Sequence, residues 1–106
     1  LELQLSVRHI AIEDSVSRYL LNIIHATRSD DRLRLGASPR SSIMLNRCAQ
    51  AAALLNGRQY VTPDDIKSIA VPVLAHRLML SSQSLHSGVS KREIIEEILE
   101  KTSVPL

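Results

Sequence analysis

The stretch Gly36-Ala37-Ser38-Pro39-Arg40 opens the longest apolar helix that the sequence predicts. Ser38 suits the N-cap and Pro39 the first helical position, because the amide hydrogen that proline lacks would have no partner there. The helix should run to about residue 56 and end at Gly57, which favours the left-handed turn that closes many helices. Arg40 then lies in the first turn, a place that already attracts anions. The residues alone leave open whether Arg40 binds a phosphate or only decorates the helix end.

Three further helices are predicted on either side of this one. Over residues 13–28, six core-type residues recur at helical spacing: Val16, Tyr19, Leu20, Ile23, Ile24 and Thr27. Thr62-Pro63-Asp64-Asp65 combines a capping hydroxyl, a proline and two acids, and it predicts the start of a helix that Pro72 should interrupt before a further turn or two. Ser90-Lys91-Arg92-Glu93 predicts a capping box for a last helix that ends near Lys101.

The segments between the helices carry weaker signals. Residues 9–12 could form a short strand, and residues 58–61 could supply a strand residue or two that pair with residues 10–12. Residues 32–35 alternate arginine with leucine, as a short extended piece or a loop would. The serine-rich residues 81–89 predict a mobile loop. Phe and Trp are absent and there are only two Tyr, so the core must consist of Leu, Ile, Val and Ala. We therefore predict an all-α fold, a small bundle of four to five helices, to which a minor two-stranded β element could be added.

Composition limits the classes of function. Thirteen basic and eleven acidic residues leave a net charge of +2, an excess too small to predict nucleic-acid binding from charge alone. Cys48 is the only cysteine, which rules out an internal disulfide and favours a reducing, cytoplasmic setting. On a helix of alanines and leucines, Cys48 should be a small buried hydrophobic residue. No apolar run approaches the roughly 18 residues of a membrane span. The chain begins at Leu1 within patterned sequence, so we expect it to be a piece of a longer protein.

No set of residues forms a complete active site. A P-loop needs two glycines before a Lys-Ser/Thr pair, and the three glycines here lie far apart. The four histidines, His9, His25, His76 and His86, are dispersed and lack the helical pairing of zinc proteases. Asp64 and Asp65 should stabilise a helix dipole rather than transfer protons. Spacing alone favours a solvated basic rim over a binding site for four arginines, Arg28, Arg32, Arg34 and Arg40.

Five short segments occur in an order and at spacings typical of one protein family. They are His25–Arg28, Leu35–Arg40, Ala49–Ala53, Gly57–Ile66 and Val73–Leu78. Together they resemble the C-terminal lid domain of MoxR-type AAA+ ATPases, over about residues 10–80. A lone Gly-x-Ser-x-Arg motif would be weak, and it is the order of several motifs that makes the resemblance specific. The sequence from Ser81 onward matches less distinctly.

The resemblance implies a role for the opening stretch. AAA+ proteins hydrolyse ATP, with Mg²⁺, between a large nucleotide-binding domain and a small helical lid. By its place in the motif, Arg40 is the sensor 2 arginine, and it contacts ATP together with the neighbouring Ser38 and Pro39. The Walker A and Walker B motifs belong to the large domain, so this chain alone should not be catalytic. Arg28, His76 and Arg77 also match family motifs, but the resemblance assigns them no role.

The same resemblance implies an organisation for the chain and its partners. Residues 1–12 would connect to the ATPase core, residues 13–80 would form the lid, and residues 81–106 would be a loop followed by an amphipathic helix. The expected partners are the ATPase core of the same chain, the neighbouring subunits of a hexamer and an unknown client protein. Such relatives act as chaperone-like machines that assemble or remodel complexes. Neither a membrane nor nucleic acid is an expected partner.

Two alternatives to the lid remain open at this stage. One is a helical module that binds nucleic acid or protein without ATP chemistry, which the basic rim allows. Against its nucleic-acid form stand the low net charge, the near absence of aromatic residues for stacking and the lack of a recognition helix. The other is a plain structural or oligomerisation domain.

Overall fold

The computed structural model describes residues 9–105, and within them a helical bundle with a two-stranded sheet. Its helices are α1 (Asp14–Arg28), α2 (Pro39–Leu55), α3 (Pro63–Leu74), α4 (Ser82–Ser87) and α5 (Lys91–Lys101). A single 3-10 turn, Ala75–Arg77, follows α3. Strand β1 (Leu33–Leu35) pairs antiparallel with β2 (Met79–Leu80). The predicted fold class is confirmed, both in its helices and in the minor β element.

Helix α1 contributes the largest share of the core. All six residues of its predicted stripe are buried, and Tyr19, Ile23 and Thr27 are at most 1% exposed. They meet buried aliphatic residues of the other helices, among them Leu45, Ile66, Leu74, Ile94 and Ile95. Burial of each such side chain contributes about 1.5–3 kcal/mol to folding. The helix ends at Arg28, as predicted.

Helix α2 packs against both α1 and α3. Leu45, Ala49 and Ala53 are fully buried, and the two alanines let the neighbouring helices approach closely. Its opposite side is less covered than the sequence predicts, since Ile43 is 63% and Leu55 81% exposed. Cys48 is half-buried, so the prediction of a buried cysteine is wrong: it lies at the margin of the packed face.

Helix α3 begins with a complete capping box. The Thr62 hydroxyl accepts the Asp65 amide hydrogen, and the Asp65 carboxylate accepts the Thr62 amide hydrogen at 2.8 Å. The predicted interruption at Pro72 is wrong, because the helix continues to Leu74. Pro72 lies in the last turn, where it removes one hydrogen bond near an end that already leaves several carbonyls unpaired.

Two short pairings join the segments between the helices. Ala11 forms an isolated parallel bridge with Tyr60, which confirms the predicted pairing of residues 10–12 with 58–61. Its hydrogen bonds run from the Ala11 amide to Gln59 and from the Val61 amide to Ala11, both at 2.9 Å. Residues 32–35 take the extended alternative as β1, whose partner β2 the sequence did not predict.

The C-terminal part differs from its prediction in two details. Residues 81–89 are not a plain loop: they contain α4, whose first turn is capped by the Ser81 hydroxyl and which ends at Gly88 with φ of 82°. Helix α5 begins and ends as predicted, and the Ser90 hydroxyl accepts the Glu93 amide hydrogen at 3.1 Å. The return bond, which the Ser90 amide would donate to the Glu93 carboxylate, does not form among the described residues, so only half of the predicted capping box is present.

Within residues 9–105, none of the helices is long and apolar enough to span a membrane.

Candidate functional site

An open groove lies where the end of α1, the start of α2 and the 3-10 turn meet. Its volume is about 550 Å³. Three arginines line it, one from each of these elements, over a floor of small and apolar residues: Arg28, Arg40 and Arg77, with Leu35, Gly36, Ala37, Ser38, Pro39 and Met44. We call this cavity the arginine groove. Its lining includes all five residues of the stretch Gly36-Ala37-Ser38-Pro39-Arg40.

The buried Thr27 hydroxyl fixes the chain that enters α2. It accepts a hydrogen bond from the Ala37 amide at 3.0 Å and donates one to the Ile24 carbonyl at 2.7 Å. Ala37 itself is only 1% exposed, so its amide would otherwise be buried without a partner. One hydroxyl therefore joins the last turn of α1 to the loop that carries Ser38, Pro39 and Arg40.

Gly36 permits the close approach of this loop to α1. A Cβ atom at residue 36 would lie 2.6 Å from the Arg28 Cα and 2.7 Å from the Thr27 carbonyl oxygen. Both of those atoms belong to the backbone of a helix, so neither can move aside cheaply. The glycine is required here for space, and it brings the backbone of Arg28 directly against the loop that leads to Arg40.

Ser38 and Pro39 set the direction of α2 in a different way from the prediction. Ser38 occupies the N-cap with extended backbone, and Pro39 occupies the first position, as expected. However, the Ser38 side chain caps no backbone amide, and its Oγ lies 3.4 Å from the Oγ of Ser41 instead. The Ser41 amide bonds to the Ser38 carbonyl at 2.9 Å. The backbone and the proline ring, rather than a side-chain cap, define where Arg40 starts.

Arg40 is exposed at the mouth of the groove. No acidic residue lies in the first turn of α2, and the groove lining contains no carboxylate. Within residues 9–105, neither Arg28 nor Arg40 takes part in a salt bridge. Both guanidinium groups are therefore available to an anion from outside.

Arg77 reaches the same groove from the end of the 3-10 turn and is held in place. One of its terminal nitrogens donates to the Val73 carbonyl at 2.9 Å, and the other contacts the Met44 sulfur at 3.3 Å. His76, which shares its sequence motif, is exposed and does not line the groove. The sequence matched both residues to a motif but could not show that Arg77 lines the same groove as Arg40.

The other arginines near this site in sequence have different surroundings. Arg32 donates to Asp30 at 2.7 Å and to Glu97 at 2.6 Å. Its hydrogen bond holds the pKa of Asp30 below the ordinary value, and with Lys101 it does the same for Glu97. Arg34 lies 4.0 Å from the Met79 sulfur. The predicted basic rim is thus divided, since Arg32 is neutralised and only Arg28 and Arg40 of that set line the groove.

Metal ligands are not gathered in the described part of the chain. No group of three or more His, Cys, Asp or Glu side chains comes together within residues 9–105. The four histidines are all exposed. The chemistry of the groove is that of anion binding by guanidinium groups, which suits phosphate oxygens.

Comparison with known proteins identifies the fold. The AAA lid domain family matches residues 25–98, a span that includes the whole arginine groove. This chain belongs to the AAA lid domain family. Within that span, the groove gathers three arginines, none of which takes part in a salt bridge among residues 9–105.

Relatives and a solved structure narrow the type of lid. The chain is 40% identical to the uncharacterized protein YeaC of Bacillus subtilis over 98% of its own length and 32% of that protein. It is 32% identical to the chaperone MoxR1 of Mycobacterium tuberculosis over 82% of its length and 26% of that protein. The crystal structure of a candidate ATPase from Cytophaga hutchinsonii superposes with a TM-score of 0.88 at 34% identity, over 95% of this chain and 33% of that one.

The lid is therefore of the kind found in MoxR-type AAA+ ATPases, as the sequence predicted. It spans about a quarter to a third of the length of these relatives. The arginine groove combines three guanidinium groups with a lining that contains no carboxylate.

Proposed function

We propose that this lid supplies Arg40 as the sensor 2 arginine to ATP bound on the ATPase core of its parent protein. The observation that carries the proposal is an exposed guanidinium without a salt-bridge partner among the described residues, at the N-terminus of a 17-residue helix and in an open groove. The cap position of Ser38 and the ring of Pro39 fix the direction from which Arg40 approaches. The helix terminus adds its own partial positive charge.

Arg40 would act through its charge and its geometry. A guanidinium stays protonated at any physiological pH and donates two parallel hydrogen bonds to phosphate oxygens. When bound, ATP with Mg²⁺ supplies the phosphoryl group and a second centre of positive charge. Arg40 stabilises negative charge that builds on the phosphate oxygens during transfer. It also draws the lid toward the core, and loss of its anionic partner frees the lid to move.

The wider role proposed for the parent protein rests on the relatives. One of them is named a chaperone, and we propose chaperone-like assembly or remodelling of a client as the task served by lid motion. A hexameric ring would supply the neighbouring subunits. The cytoplasm is the proposed location, since a single cysteine suits a reducing compartment. The lid alone should not hydrolyse ATP, because its sequence contains no Gly-x-x-x-x-Gly-Lys-Ser/Thr motif to hold the phosphates.

The decisive experiment replaces Arg40 in the full-length parent protein. Arg40→Ala should leave folding intact and reduce ATP turnover by about 10²–10³-fold, the usual effect of removing one preorganised donor. Arg40→Lys should restore only part of the rate, because an ammonium cannot form the paired bonds. The matched control is Arg47→Ala, which removes an exposed arginine of the same helix outside the groove. Near-normal hydrolysis by Arg40→Ala would show that the sensor role is wrong.

A further inference from the structure

We infer that Arg28 and Arg77 belong to the same anion site as Arg40, and that the site takes a chain of several phosphate groups rather than a single one. The identification of that chain with the triphosphate of ATP rests on the proposed function. The existence of a three-arginine site does not, because it follows from the groove itself.

Three separate elements of the fold converge on this groove. Arg28 ends α1, Arg40 begins α2 and Arg77 ends the 3-10 turn after α3, yet all three line one groove of about 550 Å³. Cavities of about 300–1,000 Å³ are typical of ligand pockets. A single phosphate would leave most of this groove empty.

The positive charge of the groove is not balanced by acidic residues in its lining. The other two arginines with buried or half-buried surroundings are neutralised, Arg32 by Asp30 and Glu97 and Arg58 by Asp65. The groove gathers three guanidinium groups, and no carboxylate lines it. Like charges repel one another across such a cavity. A polyanion would reverse that repulsion, and each added phosphate group would meet another guanidinium.

Contacts within the lid preorganise Arg28 and Arg77, the two additional arginines. Gly36 and Thr27 hold the loop before Arg40 against the backbone of Arg28. Arg77 uses one N–H for the Val73 carbonyl and one for the Met44 sulfur, which leaves three of its five N–H donors. A thioether is a weak acceptor, so a phosphate oxygen could replace Met44 and form a stronger, charge-assisted bond.

A titration of the 106-residue lid tests the inference without ATP hydrolysis. The arginine Nε–Hε signals would be followed by NMR while inorganic tripolyphosphate is added, and in a second series orthophosphate. The signals of Arg28, Arg40 and Arg77 should shift together and saturate at one concentration. Tripolyphosphate should bind at least about tenfold more tightly than orthophosphate, because it engages more charge-assisted bonds. Arg34 and Arg47 serve as internal references that should not saturate with them.

Variants separate a binding role from a structural one. Arg28→Ala and Arg77→Ala should each weaken tripolyphosphate binding by about tenfold and orthophosphate binding much less, since each removes one charge-assisted bond. Arg77→Lys should recover part of the loss if the charge matters. Arg47→Ala should bind like the wild type.

The outcomes distinguish this inference from the proposed function. A shift of Arg40 alone, or equal shifts of all arginines without saturation, would overturn the three-arginine site. If the three signals saturate together but Arg40→Ala leaves hydrolysis by the parent protein unchanged, the groove binds polyphosphate and the sensor proposal fails. If Arg40 is needed for hydrolysis while Arg28→Ala and Arg77→Ala bind tripolyphosphate normally, the sensor proposal stands and this inference fails.

Discussion

The Thr27 hydroxyl accepts the amide hydrogen of Ala37 at 3.0 Å, ten residues further along the chain. Both residues are 1% exposed, so this bond lies in a place that water does not reach. It connects the end of one helix to the start of the next, and the position of Arg40 depends on that connection. Several consequences of the arrangement can be measured on the lid itself.

Thr27→Val should destabilise the lid. Valine keeps the shape of threonine but leaves the Ala37 amide buried without an acceptor, which costs about 1–3 kcal/mol. Urea denaturation followed by circular dichroism would give the free energy of unfolding. Thr27→Ser, which retains the hydroxyl and loses one methyl group, is the matched control and should lose less. Equal losses for the two variants would assign the effect to packing rather than to the hydrogen bond.

Gly36→Ala should be destabilising for a steric reason. The added methyl group would lie within 2.6–2.8 Å of three backbone atoms of Thr27 and Arg28, and insertion of a group into such a tight contact costs about 1–3 kcal/mol or more. The free energy of unfolding is again the measurement. A Cβ atom at residue 57 would have no atom within 4 Å apart from those of its chain neighbours, but φ there is 75°. Gly57→Ala should therefore cause backbone strain without a steric clash. Unchanged stability of Gly36→Ala would refute the close approach.

In the parent protein, Gly36→Ala should also weaken ATP turnover by more than its loss of stability explains, because the clash displaces the loop that leads to Arg40. Turnover measured below the unfolding temperature, with the folded fraction confirmed, would separate the two effects. Gly57→Ala, remote from the arginine groove in sequence and absent from its lining, should leave turnover of the folded protein unchanged.

Asp65 should make the lid sensitive to acid. Burial acts to raise the pKa of this carboxyl, which is 3% exposed, but its hydrogen bonds from Thr62 and the charge of Arg58 lower it below the ordinary value. Because the pKa is lower in the folded state, the stabilisation is complete above the unfolded value of about 4 and is lost as the pH falls through the folded pKa.

Asp65→Asn tests this linkage. At pH 7 the variant should be less stable than the wild type by about 1–3 kcal/mol, because a charge-assisted bond to Arg58 is lost. The difference should shrink as unfolding is measured at progressively lower pH toward 2. Asp64→Asn, an exposed acid of the same turn, should show a smaller difference at pH 7. A gap between wild type and Asp65→Asn that stays constant with pH would contradict the assignment.

The amide hydrogens of the segment before α1 should exchange more slowly than is usual for backbone outside a helix. Ala11 and Val61 donate to backbone carbonyls across the parallel bridge, and the Gln50 side chain holds the buried Ile10 carbonyl at 2.9 Å. Gln50→Leu should speed exchange at Ala11 by about fivefold, the value of one net hydrogen bond of ~1 kcal/mol. Exchange at Ile23, deep in α1, should not change. Rapid exchange at Ala11 in the wild type would refute the docking of this segment.

The helices could be predicted because burial along a helix leaves a periodic trace in the sequence. All six stripe residues of α1 are buried, and Thr62, Pro63 and Asp65 mark the start of α3 through local bonds. Local signals also have local failures. Proline near a helix end does not stop the helix, so Pro72 misled, and the serines of residues 81–89 form the short helix α4 because Ser81 and Gly88 define its ends.

The site was harder to predict than the helices. Arg40 could be placed from its own neighbours, since a cap position and a proline precede it. The meeting of Arg77 with Met44 joins residues 33 positions apart and depends on how α3 packs across α2, which leaves no mark in either segment. The same holds for Arg32, whose partner Glu97 lies 65 residues away. The spacing of the arginines in the sequence could not show that Arg32 is neutralised, whereas Arg28 and Arg40 form no salt bridge among the described residues.

The docking of residues 10 and 11 has a mechanical consequence. A force applied to the backbone at His9 would not first extend a slack tether, because the Gln50 side chain and the two bonds of the Ala11 bridge fasten the next residues to α2 and to the loop before α3. The load would pass directly into the two helices that carry Arg40 and lead to Arg77. The lid would then move as one body, and a rotation imposed near His9 would displace the arginine groove with it.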